Sequence, residues 1–326
     1  MAGTGVDVRG RSRPRVAAAA LLVATVLGAC APQPSTTAAP ILRVAAGSDP
    51  ETVLLGRTIA VLATGAGIEV ELVELADPRS ERQAVLVGDV DVHIGYSGQA
   101  WLEVLARPDP PGDPAASVAA VRSADLARGL VWLTPTSSGA QGPTAPPANA
   151  TFALFVAGPP ALDADLRTVS ALALRLGERP DAALCVDPAF AARSDGLGAL
   201  LAAYGVRRDR PFLAADAERA VLGVVARDCL AGLSHATDGQ AWAAGLQPLA
   251  DDLRFFFAMV PVPVVRAEAL AAHPGLEAAL APLRDLSTAV LGRANARVVA
   301  GEPVGTAATG LVAALRAAAA ERPPPG

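Results

Sequence analysis

Lysine is absent from the 326-residue chain, and all 27 of its basic residues are arginine. With abundant alanine, that points to a GC-rich coding sequence and excludes no chemistry. Other absences exclude more. Beyond the N-terminal segment no cluster of basic residues occurs, and the net charge of −5 argues against nucleic acid as a partner. Histidine occurs three times, at His93, His235 and His273, too scattered for a metal centre. No apolar run after the N-terminal segment reaches the ~20 residues of a membrane-spanning helix. There is no Walker loop, no serine nucleophile elbow and no metal-ligand motif, so catalysis has no foothold and no cofactor is expected.

The N-terminus reads as an export signal. Arg9, Arg11, Arg13 and Arg15 form a basic stretch, followed by apolar residues 16–27. The run stops at Leu27-Gly28-Ala29-Cys30, the small-residue pattern of a bacterial lipobox, in which Cys30 would carry the lipid. Residues 31–40 (APQPSTTAAP) are too polar and proline-rich to pack and suit a disordered tether. Of three cysteines, Cys185 and Cys229 remain for an exported, oxidising setting. A disulfide is expected there, worth about 3–4 kcal/mol, since two thiols without histidines make a poor zinc site.

Beyond the tether, patterning alternates strand and helix. Residues 41–46 read as a strand, 51–63 as a helix, 68–75 (IEVELVEL) as a strand of period two, 79–87 as a helix and 90–94 as a strand. A helix over 114–128 and a strand over 130–133 follow, then a loop by composition at 134–150. A second set comprises strands at 151–156, 183–186 and 229–233, with helices at 161–176, 196–204 and 215–225. Residues 255–265 are apolar but broken by proline, which suits an irregular crossing or an edge strand. Helices over 267–291 and 305–320 would return to the first lobe. The expected fold is therefore α/β and bilobed, with mixed, mainly parallel sheets and a hinge of two crossings. In such sheets ligands lie beyond the carboxyl ends of the strands, where Gly47-Ser48-Asp49 and Gly95-Tyr96-Ser97-Gly98 fall.

An ordered series of segments carries a resemblance. It runs through Gly47-Ser48, Gly88-Asp89-Val90-Asp91, Tyr96-Ser97-Gly98, Gly129-Leu130-Val131-Trp132-Leu133 and Asn149-Ala150-Thr151-Phe152-Ala153-Leu154. It continues through Phe190-Ala191-Ala192-Arg193-Ser194-Asp195-Gly196-Leu197, Thr237-Asp238-Gly239-Gln240, Asp251-Asp252 with Phe255-Phe256, and Pro263-Val264-Val265-Arg266. Across residues 41–300 the chain resembles the substrate-binding proteins of glycine betaine, choline and carnitine ABC transporters.

The resemblance implies a type II periplasmic-binding-protein fold and an aromatic box around a quaternary ammonium. Such an ion donates no hydrogen bond, so ring faces attract it, at about 0.5–2 kcal/mol per contact. Matched by motif, the box positions are Tyr96, Phe152, His235 and Met259, the last two replacing aromatic rings. Of the positions that hold a betaine carboxylate, Arg193 is kept, Asp49 replaces a lysine and Gln99 stands where threonine is common. A reversed charge at Asp49 favours a choline-like cation over a betaine. Plainer roles stand beside these: Phe152 as core, Arg193 paired with Asp195, Asp238 as a helix cap, and Trp101 and Trp242 as packing.

The expected organisation is a signal over 1–30, a tether over 31–40, the first lobe over 41–148, the second over 149–248 and a return over 249–326. The chain would be a monomeric lipoprotein on the outer face of the cell membrane, passing a small solute to an ABC permease. The alternative is a bilobed sensor or interaction lipoprotein with altered or lost ligand binding.

Overall fold

The computed structural model describes residues 40–134, 146–158, 166–208 and 210–320. The signal, Cys30 and residues 31–39 of the tether lie outside the described residues. In chain order the first elements are β1 (Leu42–Ala46), α1 (Pro50–Gly65), β2 (Val70–Glu74), α2 (Pro78–Val87), β3 (Val92–Tyr96), α3 (Ser97–Val104), α4 (Pro114–Leu126) and β4 (Leu130–Trp132). Next come β5 (Phe152–Ala157), α5 (Val169–Glu178), β6 (Leu184–Val186), α6 (Pro188–Ala192), α7 (Leu197–Ala203), β7 (Phe212–Ala214), α8 (Ala217–Ala226), β8 (Ala231–His235), α9 (Gly239–Ala243) and β9 (Leu246–Pro248). The last are β10 (Pro261–Arg266), α10 (Ala267–Ala272), α11 (Leu276–Leu280), a 3-10 turn (Ala281–Asp285), α12 (Thr288–Val299) and α13 (Val304–Ala320).

Four of these helices begin with the same dipeptide. Asp49-Pro50, Asp77-Pro78, Asp113-Pro114 and Asp187-Pro188 each place a carboxylate at the N-cap and proline in the first turn. The carboxylate accepts from backbone N–H groups that have no partner inside the helix, and proline has no N–H to lose there.

Two five-stranded sheets result, ordered β2-β1-β3-β10-β4 and β7-β6-β8-β5-β9. In each, four strands point one way and one runs against them, β10 in the first and β5 in the second. The first sheet buries Leu42, Val92 and the α1 and α13 leucines Leu54, Leu62 and Leu311 on one face. Its other face packs Val85, Val121, Val264 and Trp132. On that side the Arg82 guanidinium donates to both oxygens of the fully buried Asp125 (3.0 and 2.7 Å), which also accepts from Trp132 Nε1 at 2.8 Å. In the second sheet Cys185 on β6 is disulfide-bonded to Cys229, with Cα atoms 5.7 Å apart.

Three sequence expectations need correction. Of the two readings of residues 255–265, the irregular crossing holds for 255–260, whereas the edge strand does not: β10 lies inside the first sheet between β3 and β4. Its prolines fit because of register. Val260 accepts from Ser97 N at the β3 side, so Pro261 and Pro263 turn their donor-less nitrogens toward β4. The β4 pairing stops at Trp132↔Val264; Leu133 N donates to the Pro263 carbonyl, and the return bond that proline cannot donate is forgone at the very end of the ladder.

The single helix expected over 267–291 is instead α10, α11, the 3-10 turn and the start of α12. Pro274 restricts His273 to non-helical backbone, Pro282 opens the 3-10 turn, and Ser287 caps α12 through Val290 N. The helix expected over 161–176 starts at Val169, where Thr168 accepts from Ala171 N; residues 161–165 lie outside the described residues.

The chain passes between the sheets twice, from β4 to β5 and from β9 to β10. The two passages bond to each other: Ala150 N donates to Met259 O, Met259 N to Asn149 Oδ1, and Thr151 Oγ1 to Phe257 O at 2.6 Å. A third contact lies alongside. Helix α12 buries Leu291 and Ala294 in the first core while Gly292 lies under the Trp242 ring of α9. A Cβ on Gly239 would come within 2.7 Å of Asn295 O, so glycine there lets the helices touch.

Candidate functional site

Beyond the carboxyl ends of β1 and β3 lies a cleft of about 560 Å3, lined from both lobes. Asp49, Glu51, Tyr96 and Gln99 come from the first lobe, His235, Thr237 and Asp238 from the end of β8, and Asn295 from α12. Met259 on the returning passage and Glu218 at the start of α8 line it as well. Four of these residues are carboxylates, and neither Arg nor Lys lines the cleft among the described residues.

Each carboxylate is there for a local reason. Asp49 follows Gly47-Ser48 and caps α1, accepting from Glu51 N (3.1 Å) and Thr52 N (3.0 Å). Asp238 caps α9 in the same way, through Gln240 N and Ala241 N, and also accepts from Ser234. Glu51 occupies the first turn of α1, where a negative charge suits the helix dipole. Three neutral donors hold its side chain: Tyr96 Oη at 2.7 Å, Asn295 Nδ2 at 2.7 Å and the Thr237 hydroxyl. Burial raises the Glu51 carboxyl above its ordinary value; the three hydrogen bonds oppose this and the nearby Asp49 adds to it.

Behind Asp49 sits a further carboxyl, Glu81 of α2, 2 % exposed, with Oε1 lacking a hydrogen-bond partner. It fills the space a side chain at Gly47 would need. Burial, with Asp49 and Asp77 nearby, pushes Glu81 up to about 7.

Five of the residues expected at the site are brought together around the cleft: Asp49, Tyr96, Gln99, His235 and Met259. Tyr96 spends its hydroxyl proton on Glu51, and Gln99 donates to Glu103 at 3.3 Å. Phe152 does not line the cleft. It pairs with His235 across β5 and β8, and the two rings stack at 4.8 Å with 20° between planes. Phe190 and Phe256 pack against the same Phe152 ring, at 5.3 and 6.1 Å. Arg193 does not line the cleft either. It pairs with Asp195 at 2.8 and 2.5 Å, with its guanidinium 5.9 Å from the Phe190 ring centre.

Glu51, Asn295 and Glu218 were not among the expected residues. First-turn glutamates are common caps, so Glu51 carried no distinctive signal. Asn295 did carry one: an asparagine buried within the apolar face of a helix costs free energy unless its amide is bonded. No group of three or more His, Cys, Asp or Glu suited to a metal ion exists among the described residues.

Residues 41–312 match the family described as the substrate binding domain of the ABC-type glycine betaine transport system. A glycine-betaine-binding protein of Pseudomonas aeruginosa is 32% identical over 225 residues, 67% of this chain and 69% of that protein. The glycine betaine-binding protein YehZ of Escherichia coli is 28% identical over 275 residues, 81% of this chain and 87% of its own. The solved structure of apo YehZ superposes with a TM-score of 0.76 at 25% identity, covering 85% of this chain and 99% of that one. A glycine betaine/carnitine/choline ABC transporter structure gives a TM-score of 0.72 at 22% identity, with the same coverage.

Proteins of this kind bind and deliver a small molecule outside the cytoplasm and catalyse nothing; their partner is an ABC permease. The order of strands, the paired passages and the cleft thus have one explanation: the chain belongs to the family of substrate-binding domains of ABC-type glycine betaine transport systems.

Proposed function

We propose that this protein captures a small cation of the quaternary-ammonium type, choline-like in preference to a betaine, and presents it to an ABC permease. The observation that carries the reading is the charge of the cleft: Asp49, Glu51, Glu218 and Asp238 line it, and no arginine or lysine does among the described residues. Two like charges about 5 Å apart repel by about 3 kcal/mol at the effective dielectric of a protein surface. A ligand carboxylate would meet that repulsion, whereas a cation without one gains from the same field.

Tyr96 supplies one ring, and His235, backed by the stacked Phe152, supplies a second flat face. Met259 adds a polarisable wall without a ring quadrupole. Asp49 and Gln99 border the pocket, and Arg193, held by Asp195, stands apart from it. The export signal and Cys30 complete the proposal: a lipid at Cys30 would tether the protein to the outer face of the membrane beside its permease, with residues 31–40 as leash.

Titration calorimetry with choline and glycine betaine tests the preference. Choline is expected to bind at least about tenfold more tightly, a difference of about 1.4 kcal/mol. Tighter binding of glycine betaine would overturn the reading. Mass spectrometry of the membrane-extracted protein tests the anchor, with a diacylglyceryl-modified Cys30 at the mature N-terminus as the expected species.

A further inference from the structure

The corner of the cleft formed by Glu51 and Asn295 offers only acceptors. Both oxygens of Glu51 face neutral donors already committed to it, from Tyr96 and Asn295. Asn295 is fixed in its amide orientation, because Nδ2 donates both to Glu51 Oε2 (2.7 Å) and to the Thr237 carbonyl (2.9 Å). Reversing the amide would set its oxygen against two acceptors. Asn295 Oδ1 is the end left over, buried and without a hydrogen-bond partner. Asn295 is itself 7% exposed, so this is a buried acceptor at the wall of the cleft.

A carboxylate has about four lone-pair sites, and the three donors to Glu51 leave one. Its position is set from three directions: Tyr96 at the end of β3, Thr237 after β8 and Asn295 on α12. A carboxylate held this firmly is pre-organised to take a hydrogen bond at little cost in ordering. It has no basic partner along the cleft among the described residues.

We propose that Glu51, oriented by Asn295, is the specificity-determining residue of the cleft, accepting a hydrogen bond from a hydroxyl carried by the cationic ligand. This rests on the cation reading above and narrows it: positive charge and freedom from a carboxylate are not enough, and the ligand also brings a donor. Choline meets that requirement. Propyltrimethylammonium, in which a methyl group replaces the choline hydroxyl, keeps the size and charge but not the donor. Glycine betaine carries an acceptor-only carboxylate in place of the hydroxymethyl group.

Calorimetry of the purified full chain with choline, propyltrimethylammonium and glycine betaine separates the cases, repeated on Glu51→Gln and Tyr96→Phe. The wild type is expected to bind choline about tenfold or more above propyltrimethylammonium, the usual effect of one hydrogen bond to a charged acceptor. In Glu51→Gln that ratio falls to within about twofold, because the amide brings its own donors to the corner. In Tyr96→Phe the ratio persists even where overall affinity drops, since the acceptor and its charge remain. A merely structural Glu51 would weaken all three ligands together and leave the ratio unchanged, which would overturn the proposal. Equal wild-type binding of choline and propyltrimethylammonium, both above glycine betaine, overturns this proposal alone. Glycine betaine above both overturns the cation reading as well. If Glu51→Gln fails to fold, Glu51→Asp, which withdraws the carboxylate by one methylene, is expected to lower the ratio, and a ratio unchanged there overturns the proposal.

Discussion

Glu81 gives the most direct test of the electrostatics beneath the cleft. Its carboxyl is almost wholly buried, Oε1 has no hydrogen-bond partner, and burial with the neighbouring Asp49 and Asp77 lifts it to about 7. In the unfolded chain the same group titrates near 4.5. The folded protein therefore holds the Glu81 proton more tightly than the unfolded chain does. That contribution to stability is fully present below about pH 4.5 and disappears as pH rises through about 7.

The interval from 4.5 to about 7, at about 1.4 kcal/mol per pH unit, sets a ceiling of about 3 kcal/mol. Between about pH 5 and about pH 8 roughly 2.5 kcal/mol of it is lost. Glu81→Gln has the shape of the protonated side chain and does not titrate. Urea denaturation of both proteins at the two pH values isolates the group, because other titrations cancel in the difference. Relative to wild type, the variant is expected to gain roughly 2.5 kcal/mol on going from the acid to the alkaline condition. A variant-minus-wild-type difference that stays constant within about 0.5 kcal/mol would refute the reasoning.

Two further perturbations probe the frame around the site. Asp125→Ala leaves the Arg82 guanidinium and the Trp132 indole N–H without their shared acceptor and is expected to cost about 3–5 kcal/mol, read as a fall in the urea midpoint. Gly292→Ala drives a methyl group into the Trp242 ring where α12 meets α9 and is expected to destabilise the protein by about 1–3 kcal/mol, with a matching change in tryptophan fluorescence.

Much of the fold was legible because the cues were local. Asp-Pro pairs mark four helix starts, and the period-two run at 68–75 holds β2 (Val70–Glu74). Where the outcome depended on neighbours distant in sequence, patterning failed. Pro261 and Pro263 argue for an edge strand in isolation, and only the end of β4 beside them makes an interior place tolerable. An Ala/Leu-rich stretch reads as one helix although Pro274 and Pro282 divide it.

The site divides along the same line. Asp49, Tyr96, Gln99, His235 and Met259 sit at strand ends or on the returning passage, where motif order could find them. Glu51 and Asn295 lie 244 positions apart and meet only once α12 has packed beside α1. No window of sequence contains both partners, so that hydrogen bond was out of reach.

The Cys185–Cys229 bond also bears on where the protein matures. It closes a loop of 44 residues, for which chain-entropy arguments give about 4 kcal/mol. That is a large share of the about 5–15 kcal/mol that separates a typical native state from its unfolded chain. Before oxidation the second sheet lacks this contribution, so a newly made chain in a reducing cytoplasm is easier to unfold. Formed outside the cytoplasm, where proteins of this family act, the bond raises the cost of unfolding the second lobe.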